Sequence, residues 1–299
     1  MSGGRTRNRE LRLPPVPFRR GSVALVGGGP GAPDLLSLRA IAYLSRADCV
    51  VYDRLSDRRM LSWAPPGAER RYVGKRPGDG PGAQDRIQAL LRDRASRSLR
   101  VVRLKGGDPF VYGRGFEELQ DLVGHGIPVT IVPGISSVTG GLTAAGIPPV
   151  HRGTASTFAV FPGREARQKG ASTVRLEALA GAAETLVGVM ALERLAEIVG
   201  RLRRVRGSSE PAALVESGGT ARQRVLRAPL GRLVQAARRR KFVPPVLLVV
   251  GPVAALRAEA GARPAPGPLS APGGRRGARP GARRPRPGRR PRRRAPSRA

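Results

Sequence analysis

The sequence predicts an α/β protein whose strands pair mainly in parallel. Three observations carry this. Short apolar runs alternate with segments of helical spacing. Glycine clusters follow several of the runs. A Pro- and Gly-rich stretch, "GIPPVHRG" (146–153), divides the alternating pattern in two. In such folds ligands gather beyond the C-terminal ends of the strands, so the loops leaving the strands are where chemistry is to be sought.

In chain order, "SVALVG" (22–27) reads as the first strand. Leu35, Leu36, Leu38, Ile41, Ala42 and Leu44 then recur at helical spacing. "DCVVYD" (48–53) is a strand, "RIQALLRD" (86–93) a helix and "RVVRL" (100–104) a strand. Phe116, Leu119, Leu122 and Val123 mark a helical face closed by Gly124 and Gly126, and "PVTIV" (128–132) is the next strand. The second half offers the apolar runs "TFAVF" (157–161), "ETLVGVMAL" (184–192), "PAALVES" (211–217) and "PPVLLVVG" (244–251), with a long helix over 192–204. The expected organisation is an N-terminal domain over 21–146 and a C-terminal domain over 147–257. Residues 1–20 and 258–299 are expected to be disordered basic ends.

Composition narrows the function. The 299 residues carry a net charge of +34, concentrated at the ends: residues 260–299 hold 13 Arg and no acid. That tail is Pro/Gly/Arg-rich with almost no large apolar residue, so burial cannot offset its ordering entropy. It is read as a solvated extension in preference to a nucleic-acid tether. The body remains basic without the ends, which suits an anionic partner, although an Arg-rich coding bias produces the same balance. The single Cys, Cys49, and the two histidines, His125 and His151, form no recognisable metal-binding set. No stretch has the length of a membrane span and no secretory signal is evident, so a cytoplasmic protein is expected.

Three glycine-bearing strings carry the candidate chemistry. In "VALVGGGPGAPDLLS" (23–37), Gly27, Gly29 and Ala32 fit a dinucleotide fingerprint with Asp53 at the expected distance, but Pro30 and Pro33 remove two N–H donors. A tight strand-to-helix turn fits the string equally well. In "VVRLKGGDPFVYGRGFEE" (101–118), Gly106 and Gly107 permit close approach, and Asp108 can accept hydrogen bonds from a ligand or from local N–H groups. Arg114, between two glycines, can face a carboxylate. In "VPGISSVTGGLTAAGIPPVHRG" (132–153), Ser136 and Ser137 open a helix of small residues that allows close approach.

With "VVYDRLSD" (50–57) and "YVGKRPG" (72–78), these strings make residues 21–257 resemble the uroporphyrinogen-III C-methyltransferases, within the tetrapyrrole methylases. The resemblance implies two α/β domains with S-adenosylmethionine in the active-site cleft between them, a homodimer and no metal. It also implies two successive methylations of uroporphyrinogen III to precorrin-2, which feeds sirohaem and cobalamin synthesis. On the matching positions it places Pro30, Gly106, Gly107, Asp108, Val111, Ser136, Ser137, Met190 and Gly218 at the methyl donor. Asp53 matches a proton acceptor and Lys75 a proton donor; a strand-end capping role for Asp53 stands beside this. Arg114 and Arg152, inside the specific strings, are the cations assigned to the substrate's carboxylates. The chain departs from the family pattern at Ala32, Val150 and Arg164, where Asp, Thr and His are usual. A methylase of a later precorrin, a degenerate homologue and a nucleic-acid-binding protein remain as alternative readings.

Overall fold

The computed structural model describes residues 12–74, 82–164 and 173–257. Five strands form the first sheet: β1 (Ser22–Gly27), β2 (Cys49–Tyr52), β3 (Glu69–Tyr72), β4 (Arg100–Lys105) and β5 (Val129–Val132). Their order is β3-β2-β4-β1-β5 and every pairing is parallel, so all five C-terminal ends lie at one edge. Alternate residues of β1 serve opposite faces. Ala24 and Val26 pack with α1 (Leu38–Leu44), including its Ile41 and Leu44. Val23 and Leu25 pack with Ile87, Leu91 and Ala95 of α2 (Ala83–Ser96) and Leu122 of α3 (Gly115–Gly124). The i, i+4, i+8 spacing in α2 is the stripe a helix needs to cover a sheet. Ser37 caps α1 by accepting the Ala40 N–H at 3.1 Å.

After β5 comes a π-helical turn, Ser137–Gly141, which runs into α4 (Leu142–Ala144). The expected helix of small residues is therefore short and begins irregularly. Val138, Leu142 and Ile147 are buried against Val187, Val189, Ala213 and Val249 of the second sheet. The packing thus passes to the second half at Val138, ahead of the expected division at 146/147.

The second sheet comprises β6 (Phe158–Pro162), β7 (Thr185–Val189), β8 (Pro211–Glu216), β9 (Arg224–Pro229) and β10 (Val246–Val250), ordered β6-β7-β10-β8-β9. Only β6 and β7 pair in parallel; β10 runs antiparallel to both β7 and β8, and β9 antiparallel to β8. The second sheet is thus mainly antiparallel, while over both sheets five of the eight strand pairings are parallel, as expected. The segment between Glu216 and Arg224 is too short for the crossover of a dozen or more residues that a parallel pair requires. The other face is covered by α5 (Leu176–Ala182), α6 (Leu195–Arg206) and α7 (Leu230–Arg239), through Leu176, Ile198, Leu202 and Leu233. The helix expected over 192–204 lies three residues later at its start.

The disorder expected through residue 20 is also corrected. Val16 and Phe18 are buried in the first core, and the Phe18 ring meets Tyr43 edge-on at 4.9 Å. Leu13 packs beside them, and Arg46 donates to the Val16 carbonyl. Residues 1–11 and the tail 258–299 lie outside the described residues. No helix among the described residues is long and apolar enough to cross a membrane.

Candidate active site

At the C-terminal edge of the first sheet, the loops leaving β1, β4 and β5 meet backbone to backbone at glycines. Gly29 and Gly107 exchange backbone hydrogen bonds at 3.1 and 2.7 Å. A Cβ on Gly27 would lie 2.5 Å from Gly134 Cα, and one on Gly134 would strike the Gly107 carbonyl. Asp108 locks this junction: its Oδ1 accepts the Phe110 N–H at 2.9 Å and its Oδ2 the Gly134 N–H at 3.1 Å. Of the two readings of Asp108, the structure displays the local one. The Ser137 nitrogen lies 3.8 Å from where a Gly107 Cβ would stand. Gly106 sits against Leu55 of the loop after β2.

Loops of the second sheet close on the same place. A Cβ on Gly218 would lie 2.8 Å from the Gly141 carbonyl, and one on Gly31 the same distance from Thr220 Cγ2. Pro30 faces Gly219, with its Cγ 3.1 Å from the Cβ position there. Gln223 fixes the loop between β8 and β9, accepting the Gly219 N–H at 2.8 Å and donating to the Ala144 carbonyl at 3.0 Å. The Tyr112 hydroxyl reaches Val160 of β6 at 3.2 Å. Tyr112, Arg114, Met190 and Ser217 are four of the six non-glycine residues with positive φ among the described residues; Ser98 and Lys241 are the others. Such backbone strain clusters where the chain serves a site.

Pro30, Gly106, Gly107, Asp108, Ser136, Ser137 and Gly218 therefore belong to one set of interlocking loops. Val111 and Met190, 43% and 51% exposed, present apolar side chains on the loops after β4 and β7. Pro33 occupies the first position of a 3₁₀ turn, Pro33–Leu35, where its missing donor costs little. Ala32 is buried just before it and offers no side-chain cap. Arg114 is held by Glu117 through Nε at 2.9 Å and Nη2 at 2.5 Å, so its guanidinium is already engaged. Arg152 is exposed on a turn closed by the His151–Ala155 bridge and makes no ion pair among the described residues. Arg164 pairs with Glu193 at 3.1 Å. Lys75 lies outside the described residues.

Asp53 stands directly after β2. Its Oδ1 accepts the Leu55 N–H at 3.0 Å and the Ser56 hydroxyl at 3.5 Å, and its Oδ2 accepts Arg103 Nη2 at 3.2 Å. Behind it lies a charge cluster that sequence reasoning missed. Glu118, wholly buried, accepts Arg103 Nε at 3.3 Å, Gln84 Nε2 at 3.2 Å and Lys105 Nζ at 2.9 Å. Burial, and then the Arg103 charge, pull the Lys105 amine below its usual value, against the Glu118 carboxylate. The available signal was "RLK" inside a central strand: Arg103 and Lys105 share one face of a sheet otherwise lined by Val and Leu. No group of three or more potential metal ligands occurs among the described residues.

An all-parallel sheet whose loops meet at a glycine junction, closed by a second mixed sheet, defines an α/β protein with its candidate site between two sheets. The chain belongs to the Tetrapyrrole (Corrin/Porphyrin) Methylases, whose profile matches residues 22–234. It is 41% identical over 235 residues to the uroporphyrinogen-III C-methyltransferase of Methanocaldococcus jannaschii, covering 78% of this chain and 96% of that protein. It is 42% identical over 242 residues to the siroheme synthase of Pseudomonas fluorescens, covering 81% of this chain but 52% of that one. The chain therefore spans about half the length of that synthase. Among solved structures, the Thermus thermophilus uroporphyrin-III C-methyl transferase complexed with S-adenyl homocysteine superposes with a TM-score of 0.66. It is 41% identical, and the match covers 78% of this chain and 98% of that one.

Proposed function

We infer that the chain is an S-adenosylmethionine-dependent C-methyltransferase that converts uroporphyrinogen III to precorrin-2 by two ring-carbon methylations. The observation that carries this reading is the match to 96% of the Methanocaldococcus jannaschii methyltransferase, together with a family profile whose range, 22–234, takes in the interlocking glycine loops. The donor's mixed chemistry suits those loops: backbone at Gly106, Gly107 and Gly218, polar groups at Asp108, Ser136 and Ser137, and apolar surface at Pro30, Val111 and Met190. When bound, S-adenosylmethionine supplies a methyl group on a positively charged sulfur. The chain's task is alignment, which is worth roughly 7–11 kcal/mol of a barrier of this kind.

An electron-rich ring carbon of the substrate forms the new C–C bond as the carbon–sulfur bond breaks and its electron pair stays on sulfur. The ring then sheds a proton, and the C–H electrons return to the macrocycle. Asp53, about a quarter exposed at its side chain, is assigned as the acceptor of that proton. Lys75 is assigned as proton donor on the resemblance alone. Arg152 supplies a cation for the substrate's carboxylates, and Arg114 can do so by exchanging Glu117 for a substrate carboxylate. Two copies are expected to pair in solution, and the protein is expected to act in the cytoplasm.

The test is mass spectrometry of uroporphyrinogen III incubated with the chain and S-adenosylmethionine. A gain of two methyl groups supports the reading; no transfer by well-folded protein overturns it. Later precorrins offered in the same assay separate the alternative substrate. Removing residues 260–299 should leave the rate unchanged.

A further inference from the structure

We propose that Arg103, anchored by the buried Glu118, is a positioning residue that orients the Asp53 carboxylate for proton removal. The inference rests on the reading of Asp53 as proton acceptor and adds how that carboxylate is held.

A closed ring of contacts carries it. Arg103 Nη2 donates to Asp53 Oδ2 at 3.2 Å, while its Nη1 donates to the Leu104 carbonyl at 3.0 Å. The same carbonyl accepts the Ser56 hydroxyl at 3.3 Å, and Ser56 Oγ lies 3.5 Å from Asp53 Oδ1. Each Asp53 oxygen is thus fixed from a different side. The planar guanidinium cannot swing, because its third direction, Nε, points at Glu118 at 3.3 Å. A Lys could not span these three partners, since an ammonium is a point charge on a flexible stem.

The burial gradient supports the direction of the argument. The side chains of Glu118, Lys105 and Arg103 are 0%, 3% and 4% exposed, whereas that of Asp53 is 24% exposed. The cluster holds two carboxylates and two cations, so it is balanced, and Asp53 is its one member with appreciable exposure. For stability alone, a buried ion network is a poor device, because well-packed apolar residues often do as well or better. A network with one open end gives a single carboxylate a fixed position and a fixed charge.

Three variants test this: Arg103→Lys, Glu118→Gln, and Glu118→Gln combined with Lys105→Met, which removes both members of an ion pair and protects folding. Ser56→Ala, which alters no charge, serves as a mild fourth. Among the described residues, Asp53 and Arg103 bond to each other, to Ser56, the Leu55 N–H, the Leu104 carbonyl and Glu118, and Glu118 in turn holds Gln84 and Lys105. Positioning predicts that kcat falls at least about tenfold in the Arg103 and Glu118 variants, inside the roughly 10²–10⁴-fold a positioned base supplies. KM for uroporphyrinogen III and Kd for S-adenosylmethionine stay near the parent values. Ser56→Ala lowers kcat by a smaller factor with the same split.

Asp53→Asn is measured in parallel. If it keeps the parent rate, the proton-acceptor reading fails, and the positioning role with it. If it loses the rate while every folded network variant keeps its kcat, the positioning role alone is overturned.

Discussion

Asp108 Oδ2 accepts the Gly134 N–H at 3.1 Å and so ties the loop after β4 to the loop after β5. The same carboxylate holds the Phe110 N–H with its other oxygen. Asp108→Asn turns one acceptor into a donor that faces an N–H. Hydrogen bonds to charged groups are worth about 1.5–3 kcal/mol, so unfolding free energy should drop by that order. Affinity for S-adenosylmethionine should fall about tenfold or more, measured by calorimetric titration of the folded variant.

Gly134→Ala places a methyl group 2.7 Å from Gly27 Cα and against the Gly107 carbonyl. Both obstacles are backbone, so no rotamer change relieves the clash. Overpacking of this kind typically costs 1–3 kcal/mol. The expected outcome is a lower denaturation midpoint together with loss of methyl transfer. Gly67→Ala, with open space around it, should leave both unchanged.

Cys49 is wholly buried in β2, and burial, reinforced by the Glu69 charge, pushes its thiol up to about 12. It is the chain's single thiol. A thiol-reactive dye at pH 8 should label the native protein negligibly and the unfolded protein stoichiometrically. Because the folded value is the raised one, the stability held by the neutral thiol is complete below about 8.5, the unfolded value, and is lost as pH climbs towards 12.

Asp48 receives Arg100 through N and Nε on Oδ2 and through Nη2 on Oδ1, at 2.9–3.0 Å. These bonds, the side-chain pair above all, hold its carboxyl below the ordinary value of 3.8. A depressed folded value means that its contribution is present above 3.8 and disappears as pH falls through the folded value. Asp48→Asn should therefore lower Tm at pH 7, by an amount equivalent to about 1 kcal/mol, and the gap from the parent should close in strong acid.

What could be read ahead of the structure divides along physical lines. Strands β1, β2 and β10 are buried on both faces, so they appear as nearly unbroken apolar runs. Gly106 and Gly107 announce a close approach or a positive φ, and both occur: Gly106 sits against Leu55 and Gly107 has φ +69°. Edge strands β3, "ERRY", and β9, "RVLRAP", carry charges towards solvent and gave no such signal. Arg103 and Lys105 were hidden for the opposite reason. Charge alternating with leucine ordinarily marks a solvent face, and only the arrival of Glu118 and Gln84 from α3 and α2 makes that face an interior. Val16 and Phe18 were masked by neighbouring Arg and Pro, whose composition says nothing about what two apolar side chains can grip.

The passage of Val138 and Leu142 into the second sheet's core has a practical consequence. A chain severed at the Pro/Gly-rich stretch would leave the first fragment with an apolar spur and the second with an open trough where that spur belongs. The two halves are not interchangeable cassettes, and swapping one for its counterpart from a relative would succeed only if the joint were placed before Ser137.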